Sequence, residues 1–456
     1  MRSNSQNFAH ICWIFILLML PLQLSAGPGF KWGFRERVRH TYMNNNMDFN
    51  EGKDDQQGFI RVRTNVWGQY DINKNFAVKL QLTNEFRSYT ITRDSDAAKE
   101  FTLDEVIIDN LFLKYTTGGD NPVTVTVGRQ NLIYGEGFIM LEGGPWDGSR
   151  AIFHDAVKVS YKRGSTTFDV LGISNPAIDE NFTPFSFTEA NKSYLGLPKD
   201  SEGRQWLNDG DEKALGLYIT HKASKGASLE GYYFFKTEEP QYAIPKFSTI
   251  TADQMSKRSI HTFGWRAVYP IDEKTKLRAE SATQVGSQAD NKIGAFGSYF
   301  YLDRVICPKK KGVMSAGLNI LSGDDPSTAD VEGWNPIFSR WPKWSELYIY
   351  SQTGENIDGA RKVAYWTNTI QPNVKFVADI LPKVNMTLWF HHLKALQASG
   401  PGEGKTRGNE IQLWLKVNIM KGLTGHFLYD YFMPGDFYLA PRTNATFMRV
   451  ELMYTL

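Results

Sequence analysis

The chain has 456 residues and a formal net charge of +2, from 51 lysines and arginines against 49 aspartates and glutamates. That balance gives no electrostatic reason to expect a nucleic-acid partner. A mean hydropathy of −0.39 at 41% hydrophobic and 14% aromatic content has the look of a soluble protein, but a β-barrel hides its membrane signal in alternation and stays open on these numbers.

The first element is the apolar run Ile11–Leu22. It is too short to span a bilayer, which takes roughly 20 residues. It follows Arg2 and precedes Leu24-Ser25-Ala26, so residues 1–26 read as an export signal cleaved before Gly27; an uncleaved N-terminal anchor is the less favoured alternative. Residues 27–456 then form one domain. Cys12 leaves with the signal, Cys307 remains, and neither a disulfide framework nor a cysteine metal site is expected.

The next two segments alternate. Phe34-Arg35-Glu36-Arg37-Val38-Arg39 carries arginine at every odd position, and Phe59-Ile60-Arg61-Val62-Arg63-Thr64-Asn65-Val66 repeats the pattern with Ile60, Val62 and Val66 on the other parity. A strand sends alternate side chains to opposite faces. A soluble sheet would bury the apolar face and wet the charged one; a membrane barrel turns its apolar face to lipid and its charges to a lumen.

Connection lengths decide between these. Short links rich in Gly, Pro, Asn, Asp and Lys fall at Asp71–Asn75, Thr116–Asn121, Lys162–Ser165, Lys222–Gly226, Pro270–Thr275, Cys307–Gly312, Asp379–Lys383 and Met420–Gly422. Between them lie long links at Met43–Gln57, Ser88–Asp104, Tyr134–Asp155, Ser174–Glu212, Thr237–Lys257, Ser322–Arg361, Lys394–Arg407 and Pro434–Ala445, with a shorter one near Gly286–Asn291. Short-then-long alternation predicts an all-β, transmembrane, up-and-down antiparallel β-barrel of roughly 18 strands with short periplasmic turns and long extracellular loops. The strand-like Leu347-Tyr348-Ile349-Tyr350 is assigned to an excursion inside its loop. The last strand agrees, with Met448, Val450, Leu452, Tyr454 and Leu456 on one parity and Arg449 and Glu451 on the other. Trp32, Phe34, Tyr70, Phe263, Trp265 and Tyr269 fall on the outward parity and suit interfacial girdles. The expected location is the outer membrane of a Gram-negative bacterium, with outer-membrane lipid, lipopolysaccharide and the barrel-assembly machinery as partners.

On the inward parity stand Arg35, Arg37, Arg39, Arg61, Arg63, Lys79, Arg87, Lys114, Lys158, Arg266, Arg278, Lys375, Lys416 and Arg449, against Glu85, Glu230, Glu280, Glu410, Asp430 and Glu451. A narrow channel focuses the field of such a lining, arginine pairs carboxylates bidentately, and cationic rings select anions. An anionic carboxylate solute is the expected passenger; a salt-bridge ladder that only stiffens the wall is the competing reading. Glu36 and Asp109 sit on the apolar parity against the pattern, which local register shifts or positions beyond the hydrocarbon band would explain. No nucleophile elbow or phosphate loop occurs, no enzyme activity is expected, and no cofactor or metal is expected. His391 and His392 are adjacent on a strand and point to opposite faces, and His154-Asp155 suits hydrogen bonding.

Val127-Gly128-Arg129-Gln130-Asn131-Leu132-Ile133-Tyr134-Gly135 resembles the Gly-Arg-Gln-x-Leu-x-Tyr-Gly element of the alginate-export family of outer-membrane barrels. Trp146-Asp147-Gly148-Ser149-Arg150 resembles that family's aromatic-Asp-Gly-x-Arg segment, and Gly408-Asn409-Glu410-Ile411 with Gly435-Asp436-Phe437 resembles its closing hairpin. Related substrate-specific porins share the Gly-Arg-Gln element. The resemblance implies an 18-stranded conduit for an anionic polysaccharide such as alginate, with Arg129 and Arg150 joining the lining. Parity alone puts Arg129 with the outward Val123, Val125 and Val127, so an inward Arg129 requires a bulge at Gly128. The expected function is therefore an arginine-lined channel for polyuronate export; the alternatives are uptake of small acidic nutrients by the same fold, or a non-conducting adhesin or scaffold barrel.

Overall fold

The computed structural model describes residues 29–46, 49–50, 52, 56–91, 105–141, 153–176, 185–186, 211–239, 256–339, 344–347, 367–400 and 402–456, without the side chains of residues 87, 105, 185 and 186. The export signal, the Trp146–Arg150 motif and Tyr348–Tyr350 lie outside these residues.

The strands are β1 Phe30–Asn44, β2 Gln57–Asp71, β3 Phe76–Ile91, β4 Glu105–Thr116, β5 Val123–Gln130, β6 His154–Arg163, β7 Thr166–Asn175, β8 Phe185–Ser186, β9 Glu212–Lys222, β10 Ser228–Glu238, β11 Arg258–Pro270, β12 Thr275–Gln288, β13 Asn291–Cys307, β14 Gly312–Leu321, β15 Thr369–Leu381, β16 Val384–Lys394, β17 Thr406–Met420, β18 Leu423–Pro434 and β19 Ala445–Thr455. Apart from β8, each is antiparallel to the next strand along the chain, and β1 pairs with β19 to close the ring. The two-residue β8 touches only β4, while β7 pairs directly with β9. Eighteen strands therefore make the barrel. Closure gives every ring strand two partners, which is how a sheet survives in lipid. The long Leu347 excursion adds no ring strand: β14 pairs straight to β15.

The short links are at one end, as expected. They are held by local chemistry: Asn73 Oδ1 accepts from the amides of Asn75 and Phe76, and Asp272 Oδ1 from those of Lys274 and Thr275. At the other end the β12–β13 connection is a two-residue turn with Ala289 at φ +50°, shorter than the loop expected there.

Alternation shows directly in exposure. Val170, Leu215, Leu229, Phe263, Trp265 and Tyr269 on the outward parity are wide open, Leu215 at 64%, so the apolar face is the lipid face. The buried core instead lies inside the ring. Leu132, Phe138, Ile139, Met140, Trp334, Ile337, Phe338 and Leu347 come from loops and pack on wall residues such as Leu171, Tyr218, Phe234 and Phe432. The barrel is filled, not hollow, in this region.

Two parity exceptions resolve differently. The β3–β4 register shifts between Gln81 and Leu82, which turns Asp109 inward to accept hydrogen bonds from Gln81 and Thr83. No shift occurs at Glu36; it stays on the outward parity, buried by its neighbours, and accepts from the Thr64 hydroxyl at 2.7 Å.

Candidate functional site

The inward arginines of β1, β2 and β19 form one track. Register sets Arg37 opposite Arg63 and Arg39 opposite Arg61, with Arg449 opposite Thr41 on the far side of β1. All five are buried, Arg39, Arg61 and Arg449 to 1% exposure. Like charges directly opposite each other destabilise a sheet, so each row needs an acid nearby. Glu85 on β3 receives Arg37 at 3.1 Å and Arg63, and stands 3.6 Å from Arg61. Glu451 on β19 receives Arg39 at 2.6 Å and lies 3.9 Å from Arg37. Arg449 reaches a loop carboxylate, Glu346, at 3.0 Å. Ion pairs of the ladder expected as the competing reading are thus present, with Glu85, Glu451 and Glu346 each holding arginines of the track.

The facing wall is different. Tyr134 from a loop stacks on Tyr218 of β9, which stacks on Tyr232 of β10, with ring centroids 4.1 and 5.4 Å apart. Their hydroxyls donate to Asp169, Glu230 and Glu280 respectively. Arg266 of β11 bonds Glu230, and Arg278 of β12 bonds Asp303 at 2.6 Å. Each arginine of this pair therefore has its own wall acid.

Two loops narrow the space between the walls. The first follows β5 through residues 131–141; its tip, Gly135-Glu136-Gly137, has φ +55° and +77° at the glycines. Glu136 receives both oxygens' worth of contact from Arg278 at 2.7 Å and one from Arg266 at 3.3 Å. The second loop, after β14, pairs with the first through a Phe338 N–H to Ile139 carbonyl bond of 3.0 Å. It is pinned to the wall by Asn335 with Gln284, by the buried Lys236 amine on the Ile337 carbonyl at 2.7 Å, by Ser345 donating to Glu410, and by the Leu347 amide on Asp430 at 3.1 Å. Between loops and wall lies a cavity of about 200 Å³, lined among others by Phe138, Tyr299, Tyr301, Trp344 and Trp389 with Arg278 and Lys375. Lys375 Nζ lies 4.5 Å from the Trp389 ring, a cation–π distance.

Of the predicted lining, Arg35, Arg37, Arg39, Arg61, Arg63, Lys79, Arg266 and Arg278 face the lumen. They fall into two groups rather than one ring: the buried track and the Arg266–Arg278 pair, with Arg35 open and Lys79 half-buried toward the short-turn end. Arg87 lies opposite Arg61 in register, without a described side chain, and Arg150 is outside the described residues. Arg129 is a correction. Both ladders of β5 run without a register shift, so the bulge required at Gly128 is not there; Arg129 keeps the outward parity and forms a bidentate pair with Asp155 at 2.9 Å. Gly128 has φ +122°, and the register runs unbroken through it on both sides. His391 is buried inward and His392 lies on the opposite face, as alternation requires, and His154 hydrogen-bonds Asn175. Sequence reasoning missed Glu136, Glu346 and the aromatic cavity, which depend on loops folding inward; the paired glycines around Glu136 were the available signal.

A closed eighteen-stranded barrel with an apolar lipid face, a charged interior and inward loops is an outer-membrane porin architecture. No protein-family model matches the chain, and no curated protein matches it by sequence, so the alginate-export resemblance finds no support beyond its short motifs. Solved structures do match in fold. The outer-membrane protein OpdK of Pseudomonas aeruginosa is similar over 93% of this chain and 98% of its own, at a TM-score of 0.55 and 10% identity. OpdL of the same organism matches over 94% and 98%, at a TM-score of 0.55 and 13% identity. OccK5 (OpdH), also from P. aeruginosa, matches over 93% and 98%, at 0.53 and 12%. OpdK has also been crystallised with vanillate, and that structure matches over 93% and 98%, at 0.53 and 10%.

Proposed function

We propose that the protein is a passive outer-membrane porin that takes up small carboxylate solutes. The observation that carries this reading is the buried track of Arg37, Arg39, Arg61, Arg63 and Arg449 beside a lumen narrowed by two inward loops. Buried arginines replace part of a carboxylate's hydration through bidentate contacts, and low-dielectric walls strengthen their field. The loops favour a small passenger over a polymer, because an extended polyuronate needs a continuous open bore. The vanillate bound by OpdK, an aromatic carboxylate, is a passenger of the size and charge proposed. Uptake of small acids therefore replaces polyuronate export as the preferred function.

The test is planar-bilayer recording of the purified barrel in a KCl gradient. Anion preference is expected, together with block by monomeric uronate or benzoate and little block by long oligouronates. The double variant Arg61→Gln/Arg63→Gln leaves Arg37 on Glu85 and is expected to lower the anion preference severalfold. A cation-selective pore, or none, overturns the reading; efficient passage of long oligouronates restores export.

A further inference from the structure

We infer that Glu136 is a tethered stand-in for the solute's carboxylate: it occupies the Arg266–Arg278 pair, and a solute crosses the constriction by exchanging with it. The inference rests on the porin reading above.

Three observations carry it. Glu136 is held as an incoming carboxylate would be, with Arg278 Nη1 at 2.7 Å from both of its oxygens and Arg266 Nη2 at 3.3 Å from one. Its backbone is built to place it there. Gly135 and Gly137 both have positive φ, and a Cβ on Gly135 would come within 2.7 Å of Arg266 Cδ, so the loop tip rests on the arginine itself. Finally, removal of Glu136 does not strand the arginines, because Glu230 still holds Arg266 and Asp303 still holds Arg278.

Charge makes the step an exchange. The cluster contains Arg266, Arg278, Lys375 and Lys276, the last 3.7 Å from Asp303, against Glu230, Glu280, Asp303 and Glu136, four cations to four anions. With Glu136 seated, another carboxylate would leave an excess of negative charge in a partly dehydrated site. With Glu136 displaced, the count with one solute carboxylate returns to four against four. The cavity beside Glu136 gives the remainder of the solute room, against Tyr299, Tyr301 and Trp389, with Lys375 at the same wall.

The experiment measures benzoate block of single-channel current for the full barrel and for Glu136→Gln, which keeps shape and hydrogen bonding but loses the charge. The variant is expected to bind benzoate about tenfold more tightly, the scale of one charge-assisted contact, with benzyl alcohol unaffected. Unchanged or weaker benzoate block in Glu136→Gln, in a wild type that is anion-selective, overturns this proposal alone; a wild type without anion preference overturns the porin reading instead. Folding is checked by heat-modifiable gel migration. If Glu136→Gln fails to fold, Glu136→Asp is used: its shorter tether should seat poorly on Arg278 and also tighten block, whereas a structural strut would leave block unchanged.

Discussion

Glu85 is the residue on which the arginine track most depends. Its two oxygens meet Arg37, Arg61 and Arg63, and all four side chains are almost wholly enclosed. Breaking a buried ion pair costs about 3–5 kcal/mol because the partner charge is left uncompensated, and here three guanidiniums would lose one acceptor together. Glu85→Gln is therefore expected to lower barrel stability by that amount, read as a fall in the denaturant midpoint. The same change should raise the anion-to-cation permeability ratio, since it removes a negative charge from the track. Opposite movement of stability and selectivity separates this arrangement from a purely structural ladder, in which Glu85→Gln would weaken the barrel and leave selectivity unchanged. Glu85 also shows what alternation makes legible: its inward face follows from parity alone, whereas its three partners depend on the register of β1, β2 and β3.

At the scale of elements, strands and short turns were readable and the inward loops were not. Each strand carries its own evidence in period-two alternation, and each short link carries turn residues. Apart from the glycines that flank Glu136, the inward loops carry no such local mark. Their satisfying partners are far away in sequence: Lys236 for Ile337 across 101 positions, Asp430 for Leu347 across 83 and Glu410 for Ser345 across 65. Apolar residues such as Trp334 and Phe338 look the same in a loop that covers the mouth and in one that enters it. Arg129 failed for the reverse reason, since the motif overrode a parity that the unbroken β5 ladders obey. The loop anchors make a prediction of their own. Asp430→Ala removes the acceptor of the Leu347 amide, and an unsatisfied buried donor costs about 1–3 kcal/mol. The Ser345–Leu347 segment should detach more often, giving larger and noisier single-channel currents while the barrel still closes. Unchanged conductance would mean that this segment lies aside from the path.

Across the whole molecule, near-neutrality conceals lumen cations of very different exposure, and, beside the acid-paired Arg266 and Arg278, salt should distinguish two populations of them. Arg35, Lys114 and Lys416 are exposed toward the short-turn end, where their field passes through water. Arg37, Arg39, Arg61, Arg63 and Arg449 are buried in the wall. Screening length falls from about 10 Å at 0.1 M to about 3 Å at 1 M ionic strength, and it acts far less on buried charge. The anion-to-cation permeability ratio is therefore expected to drop between these salt concentrations and to level off above unity. The part that salt removes belongs to the exposed group and should vanish in Arg35→Ala/Lys114→Ala/Lys416→Ala. The plateau belongs to the buried track and should fall in Arg61→Gln/Arg63→Gln. A ratio that decays fully to unity would assign selectivity to the vestibule alone and leave the buried arginines a structural role; a ratio indifferent to salt would assign it wholly to the track.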